Sequence, residues 1–158
     1  MQQPLQVHAS CVAIHSKGVL LFGEPGSGKS DLALRLIDRG AVLVSDDRVN
    51  LRKEGEHLIA KAPENIAGLM EIRGLGIMRL TMESDVPVCL AVQLVDRRVV
   101  DRLPVAETFE CLGMHIPQIR LSPFDASAPI RIEMALASLQ DKNMMRAGGL
   151  KECESGDV

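Results

Sequence analysis

The sequence of 158 residues contains neither tryptophan nor tyrosine, and only three phenylalanines. Sites for single-stranded nucleic acid depend on aromatic side chains that stack on bases and on clustered Lys and Arg. This chain is poor in aromatics, has no long basic run, and carries a net charge of −3. We therefore expect no nucleic-acid partner, and a core built from aliphatic side chains.

Long apolar segments and paired cysteines are also missing. The longest apolar stretch is VPVCLAVQLV, Val86–Val95, whereas a spanning helix needs about 20 apolar residues. The opening residues, MQQPLQVHAS, do not have the basic start and apolar run of a secretory signal. The cysteines at positions 11, 89, 111 and 153 form no CxxC pair and no zinc-binding spacing. These patterns predict a cytoplasmic protein with reduced thiols and no membrane partner.

The first half of the chain predicts a strand–helix–strand unit. GVLLFG, Gly18–Gly23, is a short apolar run closed by glycine, as in a buried strand. From Lys29 to Arg39 the apolar residues recur at helical spacing, and Gly40 follows as a C-terminal cap. AVLVSDD, Ala41–Asp47, then predicts a second buried strand that ends in two carboxylates.

The length favours one domain, and we predict an α/β fold with a mixed sheet. Residues 1–147 would form that domain, and residues 148–158 a flexible tail. The remaining predicted elements are two strands around Gly55, a glycine-bearing loop at Glu71–Leu80, a strand at Val86–Val95, a short helix at Pro104–Cys111, a strand at Ile116–Leu121 and a helix that begins at Pro129.

The segment between the first strand and the helix matches the phosphate-loop pattern G-x-x-x-x-G-K-[ST]. Glycines let consecutive backbone N–H groups turn towards an anion, and the helix start aims its unpaired N–H groups at the same point. The lysine adds a full charge near the β and γ phosphates, and the last serine offers a hydroxyl to Mg²⁺. The predicted nucleotide-binding residues are Gly23, Glu24, Pro25, Gly26, Ser27, Gly28, Lys29 and Ser30.

Two carboxylates follow the next strand, at Asp46 and Asp47. Sites of this class hold Mg²⁺ with an acid at the end of a neighbouring strand. Neighbouring residues of a strand point to opposite faces. One acid can therefore support the metal while the other lies nearer an acceptor and removes its proton. His8, 15 residues before the loop, is a weak candidate on the residues alone.

At this point the chain resembles the C-terminal catalytic domain of HPr kinase/phosphorylase, which phosphorylates and dephosphorylates a serine of the phosphocarrier protein HPr. The resemblance lies in the stretch from His8 to Asp47, HASCVAIHSKGVLLFGEPGSGKSDLALRLIDRGAVLVSDD, in VNL directly after it, and in EIRGLGIMRL, Glu71–Leu80. It is close from His8 to Leu80 and thinner beyond. Longer family members carry an additional N-terminal domain, so the chain looks like a short form.

The resemblance implies a role for each matching position. His8 corresponds to the active-site histidine, and Asp46 to the acid that takes the serine proton in the kinase direction. Asp47 corresponds to its neighbour, associated with the metal. Glu71 and Arg73 correspond to the charged pair of the signature, Glu71 near the metal, with Ser30, and Arg73 near the phosphates.

The family resemblance also implies a fold similar to the nucleotide domain of phosphoenolpyruvate carboxykinase, ATP and Mg²⁺ as cofactors, and HPr or a relative as the protein substrate. It implies a homo-hexamer and a place in regulating the phosphotransferase system and carbon metabolism. Two departures stand out. The arginine- and glycine-rich stretch that longer members use in phosphorolysis is replaced here by LSPFDASAPIRIEMAL, with Arg131 nearby, and Pro25 stands where the loop usually has Ser.

Two other functions are compatible with the residues. A P-loop kinase of small molecules would need arginines clustered over the phosphates, and Arg97, Arg98 and Arg102 are the group available. A nucleotide-dependent binding module without transfer activity would explain the altered late loop. It would leave Asp46 without a chemical task.

Overall fold

The computed structural model describes residues 4–151. Within that range nine strands form one mixed sheet, and two more form a separate hairpin. The sheet strands are β1 (Leu5–Val7), β2 (Ser10–Ile14), β3 (Lys17–Phe22), β4 (Val42–Ser45), β5 (Val49–Glu54), β6 (His57–Lys61), β9 (Val86–Leu94), β10 (Glu107–Cys111) and β11 (Met114–Leu121). The hairpin is β7 (Leu69–Ile72) and β8 (Gly76–Arg79), and the helices are α1 (Lys29–Asp38) and α2 (Ala128–Ser138).

Strand β9 is the centre of the sheet. Along one edge it pairs in parallel with β3. Its other edge is divided: β6 pairs antiparallel with its first residues, and β11 pairs in parallel with its last ones. The full order is β1-β5-β6-β9-β3-β2-β4, with β10 joined to β11. The predicted α/β fold with a mixed sheet is therefore confirmed.

The two helices cover one face of this sheet. Leu32 and Leu36 of α1 and Ile132 of α2 have no exposed surface and pack against β3 and β9 in one aliphatic cluster. Alternate residues of the same strands, such as Leu20, fill a second cluster on the other face. Burial on both faces explains why these strands read as continuous apolar runs in the sequence.

The helix predicted at Pro104–Cys111 is wrong, because this segment contains strand β10. Residues 107–111 alternate between more and less exposed positions, which is the period of a strand. Phe109 lies with its ring centroid 4.9 Å from that of Phe22. Pairing with β11 and this aromatic contact favour the extended backbone over a short helix.

Two further differences from the prediction bear on the site. The segment Glu71–Leu80, expected as a loop, lies mostly in the β7–β8 hairpin, whose turn contains Gly74 at φ 92. The strand predicted to run to Asp47 ends at Ser45. Both aspartates therefore lie in the turn that follows, where the alternation of a strand no longer applies.

The end of the chain is described as far as Lys151. The predicted tail is 148–158, and its residues 152–158 lie outside the described part. Gly149, in the described part of that tail, is buried. In residues 4–151 no helix combines the length and the apolar character needed to cross a membrane.

Candidate functional site

A cavity of about 580 Å³ opens between the loop before α1, the turn after β4 and the β7–β8 hairpin. It brings together most of the residues that the sequence singles out. Its lining includes Pro25, Gly26, Ser27, Gly28, Lys29, Ser30, Asp46, Asp47, Glu71 and Arg73.

The loop itself follows β3 and leads directly into α1. Gly28 is the N-cap of α1 with φ 99, a left-handed conformation that suits glycine. Lys29 is the first helical residue and is only 8% exposed. Its Nζ donates a hydrogen bond of 2.8 Å to the carbonyl oxygen of Gly23. The ammonium group is thus held inside the curve of the loop, where an anion would meet it together with the helix N-terminus.

Close packing inside the loop favours glycine at position 23. A Cβ atom built on Gly23 would lie 2.3 Å from Oγ of Ser27. That Ser27 Oγ is buried and has no hydrogen-bond partner in the part of the chain that the structure describes. The backbone N–H of Ser27 donates to the carbonyl of Glu24 at 2.9 Å, which closes the turn.

The Asp46 carboxylate is the meeting point of three elements. Its Oδ1 accepts hydrogen bonds from the Ser30 hydroxyl at 2.8 Å and from the Ser10 hydroxyl at 3.1 Å. Its Oδ2 accepts a longer bond, 3.4 Å, from the backbone N–H of Glu71. The loop, β2 and the hairpin are therefore joined through one carboxylate.

Asp47 differs from Asp46 in backbone and in surroundings. Its φ is 67, a value that non-glycine residues adopt infrequently and that clusters at functional sites. Its backbone N–H donates to Oγ of Ser10 at 3.2 Å, while its side chain is exposed and lines the cavity. The turn presents two carboxylates to one cavity, one tied by hydroxyl groups and one open to solvent.

Glu71 and Arg73 reach the cavity from the hairpin. Both are exposed, and Glu71 lies in β7 while Arg73 lies in the connecting turn. The hairpin is fixed at its base, where the Leu80 N–H donates to the Gly68 carbonyl at 2.8 Å and Met70 is 1% exposed. These two charged groups can adjust to a ligand more freely than the groups of the loop.

Three predicted residues do not line this cavity. His8 lies exposed in the bend between β1 and β2. Gly23 contributes its carbonyl to Lys29, and Glu24 lines a neighbouring cleft of about 550 Å³ instead. The structure thus brings the loop, the aspartates and the hairpin charges together, but it leaves His8 outside them.

The neighbouring cleft lies where β9 and β11 end, and Ser27 and Phe124 border both spaces. Arg97 lines this cleft and lies 3.5 Å from Asp125, while Arg98 bonds to Asp96. The guanidinium of Arg98 and its backbone N–H lower the pKa of Asp96 to about 2. A small-molecule kinase would place such arginines over the phosphates. Here both are paired with aspartates beside the cleft.

The residues around Asp46 suit a hard divalent cation. Mg²⁺ prefers oxygen ligands and is usually held by one or two carboxylates together with substrate phosphates, rather than by a complete protein cage. The Ser30 hydroxyl and the two aspartates offer such oxygens. Within residues 4–151 no cluster of three or more His, Cys, Asp and Glu side chains is placed to hold a metal by itself. A cation shared with a phosphate ligand fits this arrangement.

Fold and cavity define a single-domain α/β protein with a mixed sheet and a candidate anion site between a strand and a helix. The family described as HPr Serine kinase C-terminal domain matches residues 1–151. The chain belongs to this family.

Individual relatives agree. The chain is 37% identical over 116 residues to the HPr kinase/phosphorylase of Caldicellulosiruptor bescii, covering 72% of this chain and 37% of that protein. It is 33% identical over 153 residues to that of Caldanaerobacter subterraneus, covering 89% of this chain and 50% of the relative. The chain thus spans half or less of the length of these relatives.

Among solved structures, the Hpr(Ser) kinase/phosphatase from Coxiella burnetii matches with a TM-score of 0.75 and 32% sequence identity. The match covers 89% of this chain and 92% of that one. At this identity the similarity extends beyond the general fold, and it agrees with the family assignment.

Ser10 is the first of two residues near the cavity that the sequence reasoning missed. Ser10 has no exposed surface, and its hydroxyl contacts both members of the aspartate pair. A polar residue at the start of the otherwise apolar strand SCVAI is the signal that could have found it. Phe124 was missed as well, since its place above the loop depends on a contact between distant segments.

Proposed function

We propose that this chain is an ATP- and Mg²⁺-dependent protein serine kinase that acts on the phosphocarrier protein HPr or a relative. The observation that carries the proposal is the hydrogen bond from Ser30 of the loop to Asp46. This bond joins the loop before α1 to a carboxylate that follows a strand, and it supports the proposal because phosphoryl transfer needs a phosphate-binding loop and a carboxylate in a single site. Membership of the family supports the same reaction.

The loop would bind the phosphates of ATP. Lys29 would exchange the Gly23 carbonyl, now 2.8 Å away, for phosphate oxygens, while the N–H groups at the start of α1 contribute their partial positive charge. Arg73, at the mouth of the cavity, would add a second cation. Together these groups would orient the γ-phosphate and neutralise its charge.

Mg²⁺, when bound, would neutralise charge on the β and γ phosphates. Ser30, Asp47 and Glu71 are the residues we propose to hold it. The Ser30 hydroxyl has lone pairs for a cation while it donates its proton in the hydrogen bond to Asp46, so the observed bond is compatible with this role. Asp47 and Glu71 are exposed and line the same cavity.

Asp46 would act as the general base. Two hydroxyls donate to its Oδ1, whereas within residues 4–151 Oδ2 accepts only the long bond from the Glu71 N–H, so Oδ2 is the oxygen with capacity to accept a proton. The bond from the substrate serine Oγ to the γ-phosphorus would form as the bond to the bridging oxygen breaks. The electron pair would leave with ADP, and the serine proton would pass to Asp46. We propose that His8, which lies outside the cavity, would act where the carrier protein approaches the site.

The proposal includes the finer fold and assembly that the family resemblance implies. We propose that the domain is of the P-loop kinase type, related to the nucleotide domain of phosphoenolpyruvate carboxykinase, and that it works as a homo-hexamer in the cytoplasm. Its activity would regulate the phosphotransferase system. Light scattering at micromolar concentration measures the assembly, and a monomer there would contradict the hexamer.

Phosphorolysis is the second activity in the names of the relatives. We propose that the kinase direction dominates in this chain. Arg131, available after the last sheet strand, is paired with Asp125 at 3.2 Å and does not line the cavity. Phosphorylated carrier incubated with inorganic phosphate tests this, because release of pyrophosphate as fast as the forward reaction would contradict it.

The variant Asp46→Asn tests the base directly. Asparagine keeps the size and much of the hydrogen bonding but cannot take up the proton. We expect phosphoserine formation on the carrier to fall by roughly 10²–10⁴-fold, the usual contribution of a positioned base, while the affinity for ATP is retained. The rate is measured by mass spectrometry of the carrier and the affinity by calorimetry.

The paired variant Asp47→Asn separates the roles of the two acids. We expect it to raise the Mg²⁺ concentration needed for activity, with a smaller loss at saturating Mg²⁺. Asp101→Asn, at an exposed position away from the cavity, is the matched control. An Asp46→Asn protein that transfers phosphate at the normal rate would show that Asp46 is not the base.

A further inference from the structure

We infer that Ser10 is a positioning residue for the aspartate pair, an inference that rests on the proposed kinase function. The Ser10 hydroxyl donates to Oδ1 of Asp46 at 3.1 Å and accepts the backbone N–H of Asp47 at 3.2 Å. One hydroxyl therefore fixes a carboxylate orientation and a backbone conformation at the same time.

The ladder between β2 and β4 shows why a side chain is needed here. The two strands pair at Cys11 and Ser45, next to an irregularity in the register between Cys11 and Val12. Beyond Ser45 the backbone leaves the sheet, and the N–H of Asp47 reaches the Ser10 side chain instead of a ladder carbonyl. A hydroxyl group, which both donates and accepts, is the smallest side chain that can make this connection.

Burial protects the two hydrogen bonds of Ser10. Ser10 has no exposed surface, so solvent does not compete with its side chain for either bond. The hydroxyls of Ser10 and Ser30 converge on the same oxygen, Oδ1 of Asp46. Together they occupy Oδ1 and leave Oδ2, which accepts the long bond from the Glu71 N–H, as the oxygen that would take the proton of the acceptor serine.

A neighbouring serine provides a matched control. Ser45 is 1% exposed and its hydroxyl bonds to the carbonyl of Arg48, so it closes the same turn without touching either carboxylate. If the shape of the turn were all that mattered, removing either hydroxyl would have the same effect. If Ser10 acts through the carboxylate, only its removal disturbs Asp46.

The test compares the full chain with Ser10→Ala, Ser10→Thr and Ser45→Ala. We expect Ser10→Ala to lower the turnover number for phosphoserine formation by roughly 10- to 100-fold, the effect of a small displacement of a reacting group. The affinity for ATP and the KM for the carrier stay unchanged. Ser10→Thr, which keeps the hydroxyl, recovers most of the activity, and Ser45→Ala retains it. If Ser10→Ala does not fold, Ser10→Cys replaces it, because the slightly larger thiol still fills the site but is a weak donor.

A second readout does not depend on transfer. The side-chain carboxyl ¹³C resonance of Asp46, assigned with Asp46→Asn, is expected to move in Ser10→Ala and to stay in place in Ser45→Ala. An unmoved resonance, normal turnover in Ser10→Ala, or equal losses in both variants would overturn the inference. A wild-type chain that phosphorylates no carrier would instead refute the proposed function, and the resonance alone would then decide the role of Ser10.

Discussion

The phosphate loop and the β7–β8 hairpin face the same cavity but are held in different ways. The loop lies between β3, whose Leu20 and Leu21 have no exposed surface, and α1, which buries Leu32 and Leu36 completely. In the hairpin every residue of β8 is exposed. The difference indicates a division of labour. Under the proposed function, the loop groups that would bind the phosphates are held in place in advance, whereas Glu71 and Arg73 would reach the ligand from an exposed, adaptable arm.

Truncating a core side chain beneath the loop is expected to give the largest difference in stability between the two regions. Leu36→Ala removes a fully buried side chain between α1 and the sheet. We expect it to lower the free energy of unfolding by about 2–5 kcal/mol. Ile77→Ala, in the hairpin, removes a side chain that is 72% exposed and is expected to change stability by less than about 0.5 kcal/mol. Urea unfolding measures both, and equal losses would contradict the division.

Removing charge from each region is the next test. Lys29→Ala takes away a nearly buried ammonium group, and we expect ATP affinity to fall by about 2–3 kcal/mol, or roughly 30- to 150-fold. Arg73→Ala removes an exposed cation, so we expect a loss of at most about fivefold. Calorimetry with Mg²⁺ and ATP compares them. Lys53→Ala, at an exposed position of β5, is the control. A larger loss for Arg73 than for Lys29 would reverse the assignment.

The third test examines whether water reaches the interior of the sheet at strand β2, next to the turn that carries the two aspartates. Cys11 lies in β2 opposite Ser45, and burial raises the pKa of its thiol from 9.0 to about 12. Below pH 9 both the folded and the unfolded chain keep this proton. Above pH 9 the unfolded thiol ionises first, so the folded state loses relative stability until its own pKa is reached.

We therefore expect the free energy of unfolding to fall by up to about 1.4 kcal/mol for each pH unit above 9 through this group. Cys11→Ala should show a flatter dependence than the wild-type protein between pH 9 and 11, as measured by urea unfolding at a series of pH values. Parallel curves for the two proteins would mean that water reaches the thiol and that this part of the sheet is not sealed.

Local patterns predicted the elements that local sequence determines. The apolar run before Gly23, the helical spacing after Lys29 and the buried strand before Asp46 are found where expected, because each is set by neighbours in the chain. The segment Glu107–Cys111 was misjudged, because its conformation depends on pairing with β11. The site shows the same limit. The loop and the aspartates could be identified from spacing alone, but the contact of Ser10 with both aspartates becomes visible only once β2 lies beside the turn after β4.

The place of strand β9 at the centre of the sheet affects the order in which the protein folds. Leu20 of β3 pairs with Ala91 of β9, so the strand that carries the phosphate loop waits for a partner made much later during synthesis. Contacts between such distant segments are slow to form. A nascent chain ending before Val86 already contains the phosphate loop and both aspartates, but it lacks the strand that would hold them in place.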